Sequence, residues 1–292
     1  MDTWRFAVLG PGGVGGLLGA VLARGGHDVV FIARPGTAEA ISEGEVELHS
    51  GQFGDFAVPA RAATTLDEPV DAVLVTPKAT ALEAALERVP PEALGDALVV
   101  PFLNGADHVA LLRDRYPADQ VVPATIQVEA FRTAPGRFEH RSPFSRIAVA
   151  AGPRSAALVD ALTAGGLDAK LGGDETALLW DKLIVLAPMA LLTTAAAAPV
   201  GTIRVERRQE LVAVLGEITA VAAALGATLD PDRTLALIDS VPAGMRTSMQ
   251  RDAEAGVPIE LDAIGGAILR AADRTGVPVP VTQALVAELR DR

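Results

Sequence analysis

Apolar residues fall into two textures along the chain. As far as about position 150, short β-rich runs alternate with stretches of helical periodicity. Arg5–Leu9 (RFAVL) predicts a strand, the glycines after it a turn, and the small and apolar residues that follow a helix to Arg24. Asp28–Ala33, Ala72–Thr76 and Ala97–Pro101 predict three more strands, with a helix over Thr80–Val89 between the last two. Short, almost wholly apolar strands that alternate with helices specify a parallel sheet covered on both faces. From 120 to 150, QVEAFR, GRFEHR and SRIAVAAG are more polar and predict antiparallel strands that close the domain.

After Leu171 the strand signal fades, and helices are predicted over Glu175–Ala198, Val205–Leu225, Pro231–Asp239, Leu261–Gly276 and Thr282–Arg290. Gly172–Gly173 marks the joint. The expected architecture is an α/β domain over 1–171 and an all-helical C-terminal domain over 172–292, with a cleft between them. Leu183–Ile203 carries no charged residue and has the length of a membrane span. Pro188, Pro199, two threonines and a run of alanines moderate its hydrophobicity, and it is read as a helix buried in the helical domain.

Composition narrows the range of partners. The 292 residues are 50% hydrophobic and 21% charged, enough to bury the cores of two domains. Lys plus Arg number 25 against 37 Asp plus Glu, a net charge of −12 with no long basic run. Nucleic acid and anionic membrane are therefore not expected partners, and an anionic ligand needs a local basic pocket. The chain has no cysteine, which excludes disulfides, thiolate metal sites and a cysteine nucleophile. His27, His49, His108 and His140 lack the spacing of a metal site. The start MDTWRFAVLG does not read as a signal peptide, so a cytoplasmic location is expected.

VLGPGGVGGLLG places Gly10-x-Gly12-x-x-Gly15 directly after a predicted strand and at the start of a helix. In that context the pattern has a mechanism. Gly10 permits the tight turn, Gly12 lets backbone approach a pyrophosphate, and Gly15 lets helix and strand pack closely. The helix N-terminus offers N–H groups and partial positive charge to the phosphates. The α/β domain is thus read as a Rossmann-type dinucleotide-binding domain, with Gly10, Gly12, Gly13, Val14 and Gly15 as the cradle. The second strand runs into Arg34 (FIARPG), with no acidic residue before Glu39. An acid there would hold a ribose hydroxyl, whereas an arginine accommodates a 2′-phosphate. The expected cofactor is NADPH rather than NADH.

Lys182 lies in ETALLWDKLIVLAPMALL, where Leu178, Lys182, Val185 and Met189 share one helical face. A lysine in an apolar stripe either snorkels its ammonium to water or presents it in a cleft as a proton donor for a developing alkoxide.

Several ordered pieces together resemble the ketopantoate reductase (2-dehydropantoate 2-reductase) family over essentially the whole chain. They are the glycine loop with Arg34, Lys78 after AVLVTPK, Asn104 in FLNGADH, WDKL with Lys182, then APVG, TSMQRD and PIELDAIGG. The resemblance implies reduction of 2-dehydropantoate to pantoate by NADPH. It implies Lys182 as general acid and Glu260 as partner of the lysine and the cofactor. It further implies Asn104 beside nicotinamide and substrate, Ser248 on the substrate carboxylate, and Lys78 on the cofactor side of the cleft. The residues themselves leave plainer readings open. Asn104-Gly105 is a natural turn pair, Ser248 a helix cap, Glu260 a first-turn acid and Lys78 a loop lysine.

One departure bears on the substrate. Family members typically carry asparagines one and two turns beyond the lysine, where this chain has Leu186 and Ala190. Losing two amides favours a paralogue acting on a more apolar 2-oxo acid or ketone. A non-catalytic NADPH-binding regulator is the other alternative, against which stands the retention of both Lys182 and Glu260. The sequence leaves the oligomeric state open, a homodimer included.

Overall fold

The structure, a computed structural model, describes residues 3–291. Met1 and Asp2, part of the N-terminal stretch read above, and Arg292 lie outside the described residues. The chain divides into two compact units. Unit 1 holds residues up to Leu103 together with His108–Glu175, and unit 2 holds Asn104–Asp107 and everything from Thr176 onward. The division thus falls four residues beyond the expected boundary at 171, and a short segment from within the α/β region belongs to the helical unit.

In unit 1 the order is β1 (Arg5–Leu9), α1 (Gly13–Arg24), β2 (Asp28–Ile32), α2 (Pro35–Ser42), β3 (Glu45–Ser50), β4 (Phe56–Pro59), β5 (Arg61–Ala63) and β6 (Ala72–Val75). Next come a 3-10 turn (Ala79–Ala81), α3 (Leu82–Leu86), α4 (Pro91–Leu94), β7 (Leu98–Pro101), α5 (His108–Arg115), β8 (Ala124–Gln127), β9 (Ala130–Ala134), β10 (Arg137–His140), β11 (Arg146–Val149), α6 (Ser155–Ala164) and β12 (Asp168–Leu171). A five-stranded, wholly parallel sheet runs β5-β2-β1-β6-β7. The chain builds outward from β1 on the β2 side, then crosses to β6 on the other, which makes the β1/β6 boundary a topological switch point.

The later strands do not simply close this sheet. They form two smaller mixed sheets, β4-β3-β10-β9 and β12-β11-β8. β10 pairs in parallel with β3 and antiparallel with β9, while β11 pairs in parallel with β12 and antiparallel with β8. Helix α1 packs on both the parallel sheet and the four-stranded sheet, which accounts for its glycines. A Cβ at Gly15 would collide with Thr76, and one at Gly19 with Phe31 of β2. A Cβ at Gly13 would collide with the Ala130 backbone of β9, and one at Gly16 with the Phe138 ring of β10.

Unit 2 is built on α7 (Glu175–Ala196), followed by α8 (Val200–Glu206), α9 (Arg208–Ala224), α10 (Pro231–Ser240) and α11 (Ser248–Glu254). A π turn over Asp262–Gly266 leads into α12 (Ala267–Thr275), and α13 (Pro280–Arg290) follows. The helix expected over Val205–Leu225 is broken at Arg207, which separates α8 from α9. Helix α7 continues through Pro188. It is long and apolar enough to cross a membrane, but Trp180, Leu183, Ile184, Leu191 and Leu192 are buried in the core of the unit.

Candidate active site

One candidate group of residues lies at the carboxyl edge of the parallel sheet in unit 1. Gly10, at φ +78°, turns the chain out of β1, and its amide donates to the Ile32 carbonyl at 3.0 Å. A Cβ there would stand 3.1 Å from the Pro77 backbone nitrogen and ring. Both the backbone conformation and the approach of the β6 loop therefore select glycine. The Thr76 hydroxyl donates to the Leu9 and Gly10 carbonyls at 2.8 and 3.0 Å, fixing the loop from the neighbouring strand. Thr76 is a site residue that sequence reasoning passed over. Its signal is a hydroxyl at the end of an otherwise apolar strand.

Gly12 is the N-cap of α1 and has no side chain to bond the first-turn N–H groups of Gly13, Val14 and Gly15, which lack intrahelical acceptors. A Cβ at Gly12 would meet only the Gly10 carbonyl at 3.9 Å. The protein's own packing therefore does not require glycine there, whereas close approach of a diphosphate to the backbone would. Gly13 and Gly15 are accounted for by strand packing, as above, and Val14 is half-buried. Arg34 is exposed two positions beyond β2, at the N-cap of α2, and its side chain makes no hydrogen bond or ion pair among the described residues. Lys78 is exposed directly after Pro77, beside the same loop. Three adjacent parallel strands thus deliver the glycine loop, Arg34 and Lys78 to one edge at the switch point, where this fold binds dinucleotides. These residues fit a nicotinamide dinucleotide.

A second candidate group lies in unit 2. Lys182 is half-buried on α7. Burial pushes its ammonium down to about 8, against the opposing influence of the Glu260 carboxylate, which favours the charged form. Glu260 is 7% exposed and stands just before the helical turn at Leu261, its backbone carbonyl accepting from Ile264 N at 3.0 Å. It is a helix-entry residue, one position before the first turn. Its side chain accepts a 2.9 Å hydrogen bond from Asn104 Nδ2. Asn104, Glu260 and Lys182, far apart in sequence, are therefore brought together.

Ser248 is exposed in the first turn of α11, with no hydrogen bond to these three. The cap of α11 is Thr247, which accepts from Gln250 N at 3.2 Å, rather than Ser248. Thr247 Oγ1 also lies 2.9 Å from Thr193 Oγ1, so the start of α11 is fastened to the helix that carries Lys182. Leu186 packs half-buried against the helical core and Ala190 is fully buried. No polar side chain occurs from Leu183 to Leu192.

The chain is an oxidoreductase of the class that works on a CH–OH group with a nicotinamide dinucleotide. The chain belongs to the ketopantoate reductase PanE/ApbA family: residues 6–154 match that family and residues 175–292 its C-terminal counterpart. It is 31% identical to a 2-dehydropantoate 2-reductase of Caulobacter vibrioides, with 97% of each chain covered. It is 28% identical to the uncharacterized oxidoreductase YkpB of Bacillus subtilis over 98% of each. A D-mandelate dehydrogenase solved with NADH and anilino(oxo)acetate shares the fold at 21% identity, with a TM-score of 0.90 over 98% of this chain and 97% of that one.

Proposed function

We propose that the chain reduces the keto group of a 2-oxo acid with NADPH, and that the acid is 2-dehydropantoate, giving pantoate for pantothenate and coenzyme A synthesis in the cytoplasm. The observation that carries this reading is the desolvated ammonium of Lys182 beside a buried carboxylate that Asn104 holds in place. When bound, the reduced dinucleotide supplies the hydride. Gly10, Gly12, Gly13, Val14 and Gly15 would hold its diphosphate, Arg34 its 2′-phosphate, and Lys78 the cofactor side of the site. Lys182 donates a proton from Nζ to the carbonyl oxygen as the C=O pair moves onto that oxygen, is left neutral, and recovers its proton from water. Glu260 keeps the ammonium charged and aimed, while Asn104 and Ser248 supply donors and acceptors to the acid and cofactor.

The apolar stretch beyond Lys182 favours a second reading of the same reaction, with a 2-oxo acid whose tail is apolar. A site with Leu186 and Ala190 in place of amides gives up hydrogen-bond discrimination for a hydroxylated tail. NADPH oxidation measured over a panel of 2-oxo acids separates the two. The first reading expects the highest kcat/KM with 2-dehydropantoate, and the second with an unhydroxylated branched or aromatic 2-oxo acid. If no 2-oxo acid supports turnover, both are wrong.

A further inference from the structure

The segment Asn104–Asp107 is held onto the helix start at Leu261 by three contacts, and only one of them involves the reacting groups. Asn104 bonds Glu260. Gly105, at φ +84°, has no room for a Cβ because the Ala263 carbonyl stands in its place. Asp107 Oδ2 accepts from Arg270 Nε at 2.8 Å. The same guanidinium turns its other donors back to the π turn, bonding Asp262 Oδ1 at 2.8 Å and the Asp262 carbonyl at 2.9 Å. Gly266 leaves space for that arrangement, since a Cβ there would lie 2.5 Å from Asp262 Oδ1 and 3.0 Å from the guanidinium.

From this geometry we infer that Arg270, acting through Asp107, is a positioning residue for Asn104 and hence for the Glu260 carboxylate that faces Lys182. The inference rests on the catalytic reading of Lys182 and Glu260 given above. Three bonds to three acceptor atoms on two residues orient a planar guanidinium in a way that a lysine ammonium does not reproduce. The Arg270 and Asp107 side chains are 41% and 37% exposed. Ion pairs that open to solvent contribute little to stability, so the geometry they impose is their larger consequence.

The test is a double-mutant cycle on the full-length enzyme. Arg270→Met and Asp107→Ala are each expected to lower kcat about 10-fold with the dinucleotide Kd and Tm nearly unchanged, and the pair together no further. In an Asn104→Ala background, Arg270→Met should cost nothing more. Full additivity in that background, or a loss confined to Tm, would overturn the inference. A readout independent of turnover is the Asn104 side-chain amide resonance, whose protection from hydrogen exchange should fall in Arg270→Met. Unchanged protection overturns the positioning role even if kcat drops. Turnover surviving in Lys182→Ala would instead overturn the catalytic reading and leave the amide result standing.

Discussion

At the scale of single residues, the proposed chemistry rests on where one charge is placed. A lysine in water is fully protonated at neutral pH and holds its proton too tightly to be an efficient acid. Burial brings Lys182 to about 8, close to the working range of an enzyme that must give up and regain a proton each cycle. Because the proposed reaction uses the protonated form, kcat/KM should fall as pH rises through about 8. Glu260 raises this value, so Glu260→Gln should move the fall to lower pH; a pH profile of the two proteins checks the sign. At the cofactor edge, Arg34→Glu replaces a cation with an anion, and should weaken NADPH by about 100-fold while changing NADH by about 3-fold or less, read by fluorescence titration. Equal loss for both would remove Arg34 from the 2′-phosphate. The motifs proposed Lys182, Glu260 and Asn104, and the structure brings these three residues together. Thr76, Asp107 and Arg270 were not, because their roles come from partners 66 or more positions away.

At the scale of elements, α1 shows how composition and packing correspond. A helix buried against a sheet on one side needs one row of small residues; α1 meets strands on two sides and carries two rows, Gly15 and Gly19 toward one sheet, Gly13 and Gly16 toward the other. Gly16→Ala should overpack against Phe138 and cost about 1–3 kcal/mol, measured by denaturant unfolding. No change would mean that the β10 side of the helix is loosely packed. The strands of the parallel sheet were legible because each is a nearly continuous apolar run. The second sheet was less so. EVELHS in β3 alternates with period two, yet it pairs with β10, some ninety residues onward, and periodicity alone does not reveal that partner. The start of α11 likewise involves a tertiary contact, the Thr193–Thr247 bond, that periodicity does not reveal.

At the scale of the whole molecule, the two proposed roles fall to residues of different units. The glycine loop and Arg34, the groups suited to a dinucleotide, belong to unit 1; Lys182, Glu260 and Asn104 belong to unit 2, to which the segment Asn104–Asp107 contributes although its neighbours in sequence belong to unit 1. That division was readable in the change from strands to helices near residue 171, but the membership of residues 104–107 was not, since it depends on contacts with Glu260, Ala263 and Arg270. The separation implies that cofactor binding and proton transfer can be uncoupled by one substitution. Lys182→Ala, assayed for 2-oxo acid turnover and titrated with NADPH, tests the central claim most directly. Turnover is expected to fall by about 100-fold or more with NADPH affinity within about 2-fold of the parent. Undiminished turnover would contradict the assignment of Lys182 as the acid.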